Sequence, residues 1–134
     1  MKKFGFPRLI AELIGTAILA VTVGVVSVEL SQGLQGLYGP FAVGAALMLV
    51  VYFFGHVSGA HCNPAVSVAQ FAFRKLSVNQ LLLALLGQLL GALLGVWLTY
   101  ALLHMHATMP ESPPELKYNW HGVLAEILGT SVLP

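Results

Sequence analysis

Apolar residues in this chain gather into long runs separated by short polar stretches; they neither alternate nor recur on a single face. The first run, Leu9 to Val28, is interrupted only by Glu12 and a few hydroxyl side chains. Its length of about 20 residues at 1.5 Å each is enough to cross a hydrocarbon core of about 30 Å. A linker from Glu29 to Gly39 follows, with Gln32, Gly33, Gln35 and Gly36. The second run extends from Pro40 to Phe54 and is continued by Gly55 and His56. It is short, so its ends are expected close to polar surroundings. A third run, Val78 to His104, is long enough to cross with some tilt and carries Gly87, Gly91 and Gly95. Small residues at every fourth position let another helix backbone approach closely. A proline-rich polar stretch, Met109 to Lys117, precedes a last apolar segment from Val123 to Pro134, which is too short to span. The pattern predicts an all-α membrane protein with spans over 9–28, 40–56 and 78–104, and the beginning of a fourth.

Composition sharpens this reading. Hydrophobic residues make up 57% of the 134 and charged residues 8%, against about a quarter charged in soluble domains. The net charge of +1 gives no basis for a nucleic-acid partner. Cys62 is the single cysteine, so no internal disulfide forms. The first run exceeds the about 7–15 residues of a signal-peptide core and lacks a clear cleavage site, so it reads as a retained span. Lys2, Lys3 and Arg8 precede the first span, and Arg74 and Lys75 separate the second from the third. Lys117 is the only basic residue in the other two loops. The positive-inside rule then makes the N-terminus cytoplasmic. The acid-poor, short-looped character is compatible with a bacterial inner or plasma membrane.

The segment between the second and third runs is neither a cytoplasmic loop nor a full span. It reads Ser58-Gly59-Ala60-His61-Cys62-Asn63-Pro64-Ala65-Val66-Ser67, followed by apolar residues to Phe73. Asn before Pro is a helix-start signal, with Asn as cap and Pro in the first helical position. Residues 64–73 would give about 15 Å of helix, half a bilayer core. Ser58 to Cys62 reads as extended chain, which is tolerated at membrane depth only beside protein or a water-filled cavity. A re-entrant half-helix lining a polar pore is the consequence. Its positive dipole end near the bilayer middle would repel cations. The Asn63 amide would donate to a passing oxygen, and carbonyls from Gly59, Ala60, His61 and Cys62 would accept from it.

Ser58-Gly59-Ala60-His61 with Asn63-Pro64-Ala65-Val66 resembles the signature of the aquaporin, or major intrinsic protein, family. Ala11-Glu12 with Gly15-Thr16 is similar to the family's opening motif, and Gln88 with Gly91-Ala92 to its third helix. The resemblance covers essentially the whole chain. It implies an aquaporin-like right-handed helical bundle, of which residues 1–119 form the first inverted repeat and 120–134 begin the second. It implies a passive channel for water or small uncharged solutes, without cofactor or catalytic step, tetrameric when intact. The glycine stripe on the third span fits either generic helix packing or a family-specific role.

An internal repeat points the same way. Ala11-Glu12-Leu13-Ile14-Gly15-Thr16-Ala17-Ile18-Leu19 recurs as Ala125-Glu126-Ile127-Leu128-Gly129-Thr130-Ser131-Val132-Leu133, with Ala, Glu, Gly, Thr and Leu identical. Three spans separate the copies, so the second enters from the opposite side, as in inverted-topology repeats. A second half is therefore expected to complete the pore.

Glu12 and Glu126 sit in apolar runs, where a carboxylate costs at least about 2.5 kcal/mol. They are open to reading as a proton relay. The resemblance instead implies that they accept hydrogen bonds from pore-loop backbone, with Ser58 as a further support of that loop. His61 is a candidate ligand or titrating gate; by resemblance its carbonyl lines the pore while its side chain holds the loop. His56 is a brace or a pH sensor, and His104 and His106 have a spacing that binds a metal weakly at most. Cys62, beside Asn63, is either within reach of mercurials from the pore or a small buried hydrophobe. Resemblance places Val43 at the outer constriction, where valine leaves a wider, more apolar passage and keeps glycerol-like solutes open. Two rival readings remain: a coupled secondary transporter, and a non-conducting fragment or assembly partner. Copies inserting the same way round could not supply each other's inverted half-helix.

Overall fold

The computed structural model describes residues 5–31 and 38–104. They form four helices: α1 (Gly5–Ser31), α2 (Tyr38–Ser58), α3 (Pro64–Ala72) and α4 (Val78–His104). Three of them, α1, α2 and α4, are long and apolar enough to cross a membrane. Each exceeds or equals the expected span. Pro7 and Pro40 fall in the first turns of α1 and α2, where a proline removes no helical hydrogen bond. α2 is therefore 21 residues long, several more than the apolar run alone indicates. The segment from 120 to 134, Glu126, His106 and the repeat copy lie outside the described residues.

Glycine contacts define how the helices run. A Cβ at Gly87 of α4 would lie 2.5 Å from the Leu9 carbonyl oxygen, and one at Gly95 2.5 Å from the Ala20 Cβ. A Cβ at Gly91 would overlap the Leu13 carbonyl. Gly5 faces Leu83, and Gly24 faces Thr99. Rising numbers pair with rising numbers, so α1 and α4 are parallel and backbone-close along the seam. Gly15 faces Val50 and Phe54 of α2, while Gly39 faces Val26, so α2 runs antiparallel to α1. The starts of α1 and α4 and the finish of α2 thus share one end of the bundle.

α3 packs on α4. It has 9 residues, about 14 Å of helix, too short to cross. Its Ser67 meets Gln88, the eleventh residue of α4, and only the turn 73–77 joins its finish to Val78. α3 therefore starts near the mid-height of α4 and returns to the end at which α2 finishes and α4 starts.

The interior inverts the order of a soluble protein. Among the described residues the buried apolar side chains are small (Ala11, Ala17, Val50, Ala60, Ala84), whereas Glu12, Ser58, Ser67 and Gln88 are fully buried. Large apolar side chains such as Tyr38, Phe41, Met48, Tyr52, Phe73 and Trp97 cover the outside. Such a surface is stable where lipid surrounds it, because helix association there relies on close packing and interhelical hydrogen bonds. Arg8, expected to flank the first span, lies within α1 and is only 8% exposed. Its Nε and Nη1 have no partner among the described residues.

Candidate functional site

The loop between α2 and α3 is built by left-handed backbone. Ser58, expected in extended chain, is the last residue of α2. Gly59 follows at φ +89, with its N–H bonded to the Gly55 carbonyl at 2.9 Å. This is the usual glycine stop of a helix. Ala60 at φ +46 and Cys62 at φ +44 are also left-handed, so the expected extended run is absent. For residues with a Cβ, this conformation costs roughly 1–2 kcal/mol each. It persists because the freed amides find partners inside the bundle. The Ala60 N–H donates to Ser58 Oγ at 3.0 Å.

Those of His61 and Cys62 donate to the two oxygens of Glu12, at 3.0 and 2.7 Å. Glu12 is fully buried, and its carboxylate also accepts from Gln88 Nε2 at 2.7 Å. Three donors from two different elements converge on one side chain of α1. Gln88 Nε2 further donates to Ser67 Oγ at 2.9 Å, and Ser67 Oγ lies 3.1 Å from His61 Nδ1. The network thus joins α1, the loop, α3 and α4. Gly87 makes it possible, since a Cβ there would come 3.1 Å from the Glu12 Cβ.

Asn63 is extended, at φ −149 and ψ 123, and its Oδ1 accepts from the Ala65 N–H at 2.8 Å. Pro64 occupies the first helical position. The cap engages the oxygen of the Asn63 side chain and leaves its amide hydrogens as donors. Gly59, Ala60 and His61 line a cavity of about 320 Å³ together with Leu47, Val51, Val66 and Gln70. Pro64 and Ala65 are exposed.

The remaining expected residues are dispersed. Cys62 turns its Sγ toward α1, 2.6 Å from where a Gly15 Cβ would sit, so its thiol faces the α1–α2 contact. Val43 is half-buried on α2, fifteen residues before Ser58 and so about 22 Å along the helix from it. His56 is exposed. No group of three or more metal-ligating side chains occurs among the described residues.

Ser67 and Gln88 join the site through contacts that sequence reasoning did not assign to them. The signal was present for Gln88: a lone amide in an apolar span needs a partner as a carboxylate does. Ser67, one turn into a helix, carries no such mark.

A family model described as major intrinsic protein matches residues 2–134. Aquaporin NIP2-2 of Zea mays is 32% identical over 126 residues, covering 92% of this chain and 42% of that protein. Probable aquaporin NIP7-1 of Arabidopsis thaliana is 34% identical over 129 residues, covering 93% and 46%. Putative aquaporin NIP4-1 of Arabidopsis thaliana is 40% identical over 76 residues, covering 54% and 27%. The chain spans about half the length of the curated relatives it matches. These are plant proteins, and they lend nothing to the bacterial membrane expected from composition. No solved structure matches the chain. With a signature loop held by a buried glutamate and a family match along nearly all its length, the chain belongs to the major intrinsic protein family.

Proposed function

We propose that this chain supplies one half of a passive transmembrane pore for water, with small uncharged solutes such as glycerol as further candidates. The observation that carries the reading is the Glu12 carboxylate holding the His61 and Cys62 amides. That grip turns the loop so that α3 begins at mid-bundle behind the Asn63 cap. The positive end of α3 and the Asn63 amide then meet a neutral, hydrogen-bonding permeant, which fits the word aquaporin in the relatives' names. Asn63, Pro64, Ala65, Gly59, Ala60, His61 and Cys62 form this half of the passage, with Val43 toward its outer end. Glu12 and Ser58 support the loop.

The proposal includes an inverted second half that begins with the segment around Glu126, a homotetramer of such pores, and a cytoplasmic N-terminus. A coupled transporter is disfavoured because both Glu12 oxygens are already occupied by donors.

The test is osmotic shrinkage of proteoliposomes. The chain alone is expected to match empty liposomes, and the chain joined to the C-terminal half of a relative to shrink severalfold faster. Asn63→Trp in the joined protein should abolish the gain. Flux that requires a proton or sodium gradient would favour the transporter instead.

A further inference from the structure

We infer that Ser67 is a positioning residue that holds His61 as the neutral tautomer with its proton on Nε2, so that the ring offers a fixed donor to the cavity beside it. Each hydrogen bond outward from Glu12 fixes the direction of the next. Both Glu12 oxygens already accept from the His61 and Cys62 amides, so the group that Gln88 turns toward them at 2.7 Å is the donating NH₂ and not the carbonyl. The same nitrogen lies 2.9 Å from Ser67 Oγ, so its second hydrogen donates there. Ser67 must then send its own proton elsewhere.

Two acceptors are common for a helical serine: the carbonyl four residues back, or a neighbouring side chain. Thr22, Ser27 and Thr99 all take the backbone choice, donating to Ile18, Val23 and Gly95. Ser67 makes no such bond among the described residues. Its remaining neighbour is His61 Nδ1 at 3.1 Å. Nδ1 therefore accepts, and a neutral imidazole whose Nδ1 accepts carries its hydrogen on Nε2. Nε2 lies over Gly59, 2.8 Å from where a Cβ would sit, and no described residue accepts from it. Gly59 and His61 both line the cavity of about 320 Å³.

The order is thus carboxylate, amide, hydroxyl, imidazole, each setting the next. Its outcome is an N–H beside the left-handed loop that seeks an acceptor oxygen. The tautomer assignment stands on the geometry alone. Its consequence for a permeant rests on the channel reading, and the two are separable by experiment.

The test is solid-state NMR of the full chain in lipid bilayers, with histidine labelled by a magnetic nitrogen isotope. The His61 signals are identified by their loss in His61→Asn. At neutral pH the expected result is an unprotonated Nδ1 and a protonated Nε2. Ser67→Thr should keep this pattern, and Ser67→Ala should lose it, with a new population protonated on Nδ1. A native ring protonated on Nδ1, or on both nitrogens, overturns the inference. So does an unchanged tautomer in Ser67→Ala. If Ser67→Ala does not fold, the native and Ser67→Thr spectra still decide. Should the tautomer prove as assigned while the joined channel shrinks no faster than empty liposomes, the channel reading fails and the inference holds.

Discussion

At the scale of single residues, Glu12 and Asn63 carry the most. Glu12→Ala would leave the His61 and Cys62 amides and the Gln88 amide without their common acceptor. Each buried donor left unpaired costs about 1–3 kcal/mol, so a loss of roughly 3 kcal/mol or more in thermal unfolding in detergent is expected. Glu12→Gln should lose less, because its carbonyl still accepts while its amide must turn from the loop. Asn63 has two separable parts. Its oxygen caps α3, and its amide is the donor that the proposed pore would use. Asn63→Ala should cost about 1 kcal/mol as a lost cap. Asn63→Asp keeps the capping oxygen and removes the donor. Its stability should stay within about 0.5 kcal/mol of the native chain, while shrinkage of liposomes holding the joined channel slows severalfold. Equal slowing by a variant that merely weakens the cap would remove the donor role.

At the scale of elements, the seam between α1 and α4 depends on the absence of side chains. Gly91→Ala would drive a methyl into the Leu13 carbonyl and within 3.0 Å of the Thr16 Cβ. Neither is the flexible tip of a side chain, so the helices must part. Overpacking of this kind costs typically about 1–3 kcal/mol. Gly44→Ala is the matched control, since a Cβ there meets nothing within 4 Å, and it should be neutral to within about 0.5 kcal/mol. Unfolding followed by far-ultraviolet circular dichroism distinguishes the two; equal losses would mean the seam is not where stability resides. The glycine spacing was legible in the sequence, but its partner was not. A stripe of small residues specifies that something comes close, and only the packed bundle shows that α1 does so, in parallel and in step. The half-helix was similarly legible in its start, because Asn63 and Pro64 are strong local signals. The loop before it was not, because Ala60 and Cys62 ordinarily avoid positive φ and adopt it here where the loop amides bond to Ser58 and to the distant Glu12 carboxylate.

At the scale of the whole molecule, the shared end of α1, α2 and α4 carries Arg8, Arg74 and Lys75 near it. A cytoplasmic placement of that end predicts that Arg74→Cys, in a Cys62→Ala background, reacts with a membrane-impermeant maleimide only after the cytoplasmic side is opened. Labelling of sealed cells from outside would reverse the topology. The sequence by itself determined that this chain lives in lipid, where the three long helices of the described residues run, where α3 starts and to which family it is similar. Those properties rest on composition, run length and local backbone chemistry, which neighbours in the chain decide. Only the tertiary structure decided that Glu12, His61, Cys62, Ser67 and Gln88 form one network, that the Cys62 thiol faces α1, and that Arg8 is buried. The Glu12–Gln88 pair is separated by 76 positions, and no local preference carries information across that distance. Such contacts arise when apolar helices pack in lipid and their few polar groups must satisfy one another.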